Sequence, residues 1–456
     1  MNTETPALAA EVVAALRSQL RGSVLLPHDD GYAAARRVWN AAIDRRPSAI
    51  ATCADAEDVA VTLRIAARHG APVTVRGGGH NVAGRSLRDG AVLLDLSRLR
   101  GVEVNAAARV AAVQGGALWR DVDAATARAG LAITGGLISS TGVGGFTLGG
   151  GAGWLMRRHS LACDNLLAAT VILADGRVVR ASPDEQPDLF WGLRGGAGGL
   201  GVVTSFEFSA HPLRDVLAGV VVHPAGEALD VLRAFRDFAA GAPDEFCGLA
   251  ALVHAPPLPF LDPAWHGRPA VLLALCWCGE LAAGERALAP LRAHGRPVAE
   301  HVGTMPYVQW QQLQDANAPA GLYNYWKTAN YRRLDDATLV RLAAAAQQLP
   351  TRRSEIHIQH MGGAVARVPH ADTAFAHRDA GWFVNLIGIA ESADALPPMR
   401  DRVRALHAEL ADGALAGILP NFSDQDDGQA ERQFGGDVAA RLAALRRRYD
   451  PAGLLA

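Results

Sequence analysis

The segment VRGGGHNVAG, residues 75–84, sets three consecutive glycines directly before His80. Glycine bares backbone amides and accepts positive φ, so clustered glycines make the kind of cradle a diphosphate needs. Two further stretches share this chemistry: Gly142–Gly153 within TGVGGFTLGGGAGWL, and Gly195–Gly201, GGAGGLG. None opens a helix after a first strand with an acidic residue about twenty positions on, so none is the usual dinucleotide fingerprint. No Gly-Lys-Ser/Thr phosphate loop is present. The competing use of such glycines is in tight turns, but three loops of this density point to a ligand.

Acid–base chemistry has its own candidates. In YNYWK, strand alternation puts Tyr323, Tyr325 and Lys327 on one face, where the ammonium would favour a phenolate. The competing reading makes the tyrosines packing aromatics and Lys327, the only lysine in the chain, a solvated charge. In EIHIQHMGG, His357, Gln359 and Met361 share one face and Ile356, Ile358 and His360 the other. Either histidine is a candidate base, and a structural histidine is the common alternative. No histidine pair has metal-ligand spacing, so no metal is expected. The five cysteines are odd in number and scattered, which argues against a disulfide framework. The CWC at 276–278 lacks zinc spacing and reads as two small buried residues on one strand face.

The elements that must position these residues divide the chain in two. Residues 56–70 have helical spacing with an acidic first turn and end at Gly70. Strands follow at 71–76, 90–99 and 109–114, then a helix over about 118–130. Residues 165–183 read as a hairpin turning at Asp175-Gly176. After about residue 212 come apolar strands such as CGLAALVHA, AVLLALCWCG and GWFVNLIGIA, separated by amphipathic helices at 284–295 and 335–348. This pattern predicts an α+β protein whose second half is an antiparallel sheet with helices on one face. The tail DVAARLAALRRRYDPAGLLA is a basic amphipathic helix ending before Asp450-Pro451.

A chain of 456 residues has a prior of two or three domains, and half of its residues are hydrophobic, enough for sizeable cores. A formal net charge of −2 gives no general affinity for nucleic acid or an anionic membrane. No apolar run reaches transmembrane length. The first residues lack the order of a secretory signal, so a cytoplasmic location is expected. The sequence does not specify an oligomeric state.

VRGGGHNVAG, GGLISSTGVGGFTLGGGAGWLMRRHSLACDNLLAATVILADG, DLFWGLRGGAGGLGVVTSFEF and RRRYDPAGLL together resemble the berberine-bridge-enzyme-like flavoprotein oxidases. These belong to the vanillyl-alcohol-oxidase or PCMH-type FAD fold. The resemblance implies two domains. Residues 1–212 bind FAD, 213–419 form a substrate domain roofing the isoalloxazine, and 420–456 return to the FAD domain. It also implies FAD attached covalently through His80 and, by a second bond, through Cys163. The FAD-binding residues it implies are Arg76, Gly77, Gly78, Gly79, His80, Asn81 and Gly84 in the first loop. From the second they are Gly136, Thr141, Gly142, Gly145, Gly149, Gly150, Gly153, Trp154 and Cys163. Gly201, Val203, Asn421 and Phe422 complete the set.

The family reaction is hydride transfer from a C–H next to N or O, followed by reduction of O₂ to H₂O₂. Many members place a tyrosine base two positions before the asparagine that Asn421 matches. Leu419 stands there and cannot take a proton. An amine, whose lone pair assists hydride loss, therefore gains weight as the substrate. Catalytic roles fall to Tyr325, Lys327, Tyr323, Gln359 or His357. A dehydrogenase, a desaturase or cyclase of natural products, and a non-catalytic flavin-binding protein are the rival expectations.

Overall fold

The computed structural model describes residues 8–422, 424 and 433–455. Its first half is built on two sheets. Strands β1 (Ser23–Leu25), β2 (Ala49–Thr52), β3 (Val73–Arg76) and β4 (Val92–Asp95) form the first, ordered β1-β2-β4-β3. β2 and β3 both run parallel to β4. The helix Ala56–His69 packs Val59, Leu63 and Ala66 against this sheet. The Asp55 carboxylate caps its start by accepting from Asp58 N, and Gly70 ends it at φ +61°.

The second sheet is antiparallel, ordered β5 (Val102–Asn105), β6 (Val110–Gln114), β10 (Val202–Ser209), β8 (Leu166–Ile172) and β9 (Val178–Ala181). The β8–β9 hairpin turns at Asp175-Gly176, with Gly176 at φ +83°. A short ladder of β7 (Leu131–Ala132) and β11 (His211–Pro212) closes this half. The helix Gly436–Tyr449 buries Leu442 and Leu445 in the core of the second sheet, beside Leu193 and Leu200. Beyond it, Leu454 O accepts from Val73 N at 2.8 Å.

The remaining strands make one seven-stranded antiparallel sheet. They are β12 (Asp215–Pro224), β13 (Phe246–His254), β14 (Pro269–Trp277), β15 (Ala299–Pro306), β16 (Tyr323–Tyr331), β17 (Glu355–His360) and β18 (Trp382–Ala390). Their order is β15-β12-β14-β13-β17-β18-β16. Helices Ala228–Gly241, Asp336–Ala345 and Leu396–Glu409 cover one face, burying Val231, Leu342 and Val403 on it. The other face turns toward the glycine loops, where Leu249, Cys276 and Phe383 meet Trp154 and Leu155. With both faces covered, the central strands read as near-continuous apolar runs rather than clean alternations. The α+β class and the helix-covered antiparallel sheet are as expected. The helix expected at 284–295 spans Leu281–Arg292, because Glu280 caps it by accepting from Ala282 N and Ala283 N.

Candidate active site

A cavity of about 1010 Å³ runs between the glycine loops and the open face of the seven-stranded sheet. Two of those loops meet backbone to backbone: a Cβ on Gly78 would lie 2.5 Å from both N and Cα of Gly142. Side chains are excluded at that crossing for steric reasons, whatever the turn type. Gly145 and Gly198, by contrast, also line the cavity and have open space where a Cβ would point. Asn421 staples the second loop: its Oδ1 accepts from Gly151 N at 3.0 Å and its Nδ2 donates to Phe146 O at 3.1 Å.

His80 lines the cavity and stacks on Trp39, with ring centroids 4.3 Å apart and planes at 16°. Trp39 is fixed in turn, its Nε1 donating to Ala318 O at 3.0 Å. Burial lowers the His80 pKa to about 4, so the imidazole is neutral at ordinary pH and keeps a nucleophilic lone pair. Its Nε2 is buried without a hydrogen-bond partner.

Across the cavity stands the sheet. Glu355 and His357 of β17, Asn385 and Ile387 of β18, and Asn324 and Trp326 of β16 line it. Register aligns His357 with Asn385 and sets Ile387 between Trp326 and Glu355. His357 Nε2 lies 2.6 Å from Glu355 Oε2. The face of β17 that alternation left open is thereby settled: Glu355 and His357 look into the cavity, while Ile356 and Ile358 pack under the helices.

The residues singled out in the sequence divide on this geometry. Gly77, Gly78, Gly79, His80, Asn81, Gly136, Thr141, Gly142, Gly145, Gly149, Gly201, Val203, Asn421, Phe422 and His357 line the cavity. Arg76 does not. Its guanidinium pairs with Asp95 at 2.7 Å and donates to Ala35 O, so it braces the loop from behind. Gly84 abuts Ile43, Gly150 abuts Phe375, and Gly153 abuts the Gly135 carbonyl; each allows close packing away from the cavity. Trp154 is buried on Trp310, with centroids 4.9 Å apart. Cys163 is fully buried in a core with Leu161, Met361 and Phe375, and no cysteine lines the cavity.

Among the expected catalytic residues, Tyr323 and Tyr325 pack with the helix-covered core, and Tyr325 Oη accepts from Arg404 Nε at 2.9 Å. Lys327 is buried and sits 3.4 Å from Asp424, which does line the cavity. Gln359 shares the open face with His357 but is 1% exposed and lies beyond the cavity wall. Leu419 is buried in the same core as Cys163. Sequence reasoning missed Glu355, Asn385, Trp326 and Trp39. The first three follow once His357 is known to face inward, since register fixes their parity. Nothing in the sequence marked Trp39.

Residues 47–182 match the family of FAD binding domains. Over nearly its full length the chain is similar to (R)-6-hydroxynicotine oxidase of Paenarthrobacter nicotinovorans, 29% identical across 95% of this chain and 94% of that protein. An FAD-linked oxidoreductase of Dictyostelium discoideum is 27% identical across 91% and 88%. Among solved structures, 6-hydroxy-D-nicotine oxidase from Arthrobacter nicotinovorans superposes with a TM-score of 0.85 at 29% identity, covering 98% of both chains. Glucooligosaccharide oxidase from Acremonium strictum, described with a 6-S-cysteinyl, 8α-N1-histidyl FAD, shares the fold with a TM-score of 0.83 at 24% identity, covering 97% of each chain.

The chain is an FAD-linked oxidoreductase of the PCMH-type fold.

The residues of this oxidoreductase suit FAD. Besides His80 Nε2, the buried hydroxyls of Thr74 and Ser86 line the cavity with no protein partner. Buried polar atoms without a partner are costly unless a ligand or water satisfies them. Arg446, Arg447, Arg45 and Arg88 are also among the lining residues, a cationic set that suits a diphosphate. Trp39, Trp326, Leu322 and Ile387 make the opposite end apolar, as a flat ring system requires. Among the described residues no group of three His, Cys, Asp or Glu side chains could hold a metal ion. No helix among them is long and apolar enough to cross a membrane.

Proposed function

We propose that the oxidoreductase holds FAD by one covalent bond, to His80, and oxidises a small amine or nitrogen heterocycle at the carbon next to nitrogen. The chemistry FAD supplies when bound is acceptance of a hydride and transfer of the electron pair to O₂, giving H₂O₂. The observation that carries the reading is the neutral imidazole of His80, set in the glycine cradle and facing a sheet wall on which His357 and Glu355 are paired.

Support for a single bond comes from Cys163. Only a thiolate is nucleophilic, and burial pushes this thiol well above its ordinary value. The neighbouring Asp164 carboxylate, 3.7 Å from Sγ, disfavours ionisation further. Support for an amine comes from Leu419 and from the similarity to a hydroxynicotine oxidase. His357 is the proton acceptor we favour, because its partner Glu355 orients it and stabilises the imidazolium that would form.

Acid precipitation tests the attachment. Wild type and Cys163→Ala should stay yellow in the pellet, and His80→Ala should release its flavin to the supernatant. A yellow His80→Ala pellet would refute His80 as the sole attachment, and loss of covalent flavin from Cys163→Ala would refute the His80 bond. Anaerobic mixing with panels of cyclic amines, alcohols and oligosaccharides tests the reaction. Bleaching of the flavin band by amines is expected, and bleaching by sugars alone would overturn the substrate class.

A further inference from the structure

The seam between the FAD-binding half and the seven-stranded sheet contains a carboxyl group without a cation. Asp123 lies on the inward face of the helix Trp119–Arg128 and is 3% exposed. The short helix Tyr307–Trp310 packs against it from the other half. Gln311 Nε2 reaches Asp123 Oδ2 at 3.4 Å. Gln311 Oε1, Tyr307 Oη and Trp310 Nε1 are buried there without partners. The titratable groups that act on Asp123 or face it from these elements are Asp315, a like charge, and Tyr307, whose own hydroxyl is pushed well above its ordinary range. No arginine, lysine or histidine offsets a charge on Asp123 among the described residues.

From this seam the chain runs on as a strap, residues 311–322, across the ring end of the cavity. Asp315 holds Ser139, accepting from its N at 2.7 Å and from its Oγ at 2.6 Å. Ala318 O accepts from Trp39 Nε1, and Gly321 N donates to Trp39 O at 3.0 Å. Trp39 is the residue that stacks on His80.

We propose that Asp123 works as a neutral acid that locks the strap onto the FAD-binding half, and that its ionisation at alkaline pH loosens the strap over the His80 end of the cavity. A protonated carboxyl supplies an O–H to the unpartnered acceptors around it, while an ionised one leaves a buried charge with no counter-ion. Burial raises the Asp123 pKa to about 8, which puts this change within working range.

The test uses the purified full-length protein. Infrared difference spectra should show the carbonyl stretch of a protonated carboxylic acid at pH 6.5, lost by pH 9.5 and missing from Asp123→Asn at both. Backbone hydrogen exchange across 307–322, compared between wild type and Asp123→Asn at the same pH, should match at pH 6.5. At pH 9.5 it should be about thirtyfold faster in wild type, since roughly 1.5 pH units separate pH 6.5 from the point at which the folded carboxyl ionises. Equal exchange at pH 9.5, or absence of the acid band in wild type at pH 6.5, would overturn the proposal. If Asp123→Asn fails to fold, the wild-type band and its own titration still decide the protonation state, and wild-type exchange across 307–322, corrected for the intrinsic rate and set against helices away from the seam at each pH, serves as the comparison.

Discussion

Around Cys163 two guanidinium groups and a carboxylate form a closed ionic knot. Arg378 grips both oxygens of Asp164 at 2.7 Å, and Arg194 approaches it at 3.5 Å. Arg378 also donates to Thr373 Oγ1. Arg378→Ala would leave the buried Asp164 carboxylate with Arg194 at 3.5 Å and the Ser160 hydroxyl, a loss of up to about 3–5 kcal/mol by the usual behaviour of broken buried pairs; denaturant unfolding measures it. The role proposed for His357 gives a different kind of prediction. His357→Ala removes a positioned proton acceptor and should slow anaerobic flavin reduction by about 10²–10⁴-fold, with folding and flavin content unchanged. Stopped-flow absorbance reads that rate, and an unchanged rate would move the role elsewhere on the wall. These two sites also show the limit of reading residues in isolation. His80 was legible because three glycines preceded it. Cys163 entered only through the family resemblance, and its enclosure by Asp164, Phe375 and Met361 is what argues against a second bond.

Among elements, the glycine loops carry the strictest geometry. Gly142→Ala would drive a methyl group into the backbone of Gly78. The two loops would have to part, so the variant should purify with little or no flavin and melt at a lower temperature, checked by the absorbance ratio of flavin to protein. Gly145→Ala is the control: its Cβ meets nothing within 4 Å, so its protein core should be unaffected. The loops were visible in the sequence because glycine density is a direct record of backbone crowding. The strands were visible as apolar runs, yet their faces were not. YNYWK and EIHIQH each alternate cleanly, and alternation alone does not say which face the helices take. In β16 the tyrosines went under the helix Leu396–Glu409 and Trp326 went to the cavity, the reverse of the expected assignment. That choice belongs to the packing of distant helices, which no local pattern records.

For the whole molecule, stability should depend on pH with two limbs of opposite slope. Burial lowers His80 to about 4, and His159 and His360 to about 3. His211, His223, His254 and His377 move the same way. Below the ordinary value of 6.5 the unfolded chain takes up protons that the folded chain refuses, so stability falls as pH drops toward 4. Asp123 acts in the opposite sense. With its folded pKa raised from 3.8 to about 8, the folded chain holds a proton that the unfolded chain has released, so stability declines as pH rises through that interval. The imidazoles outnumber the carboxyl and dominate on the acid side, which places the optimum at about pH 6.5–7. Thermal scans across pH 5–9 should show this maximum, and Asp123→Asn should flatten its alkaline limb and steepen its acid one.

The chamber for FAD is bounded by Trp39 near one terminus and by Gly453 and Leu455 at the other, with Leu454 clasped to Val73. Segments from opposite ends of the sequence must therefore meet before the vessel is closed, and the stretch from Gly436 onward is a stave of it rather than an appendage. Polypeptide cut just ahead of Gly436 should purify colourless, checked by its flavin absorbance.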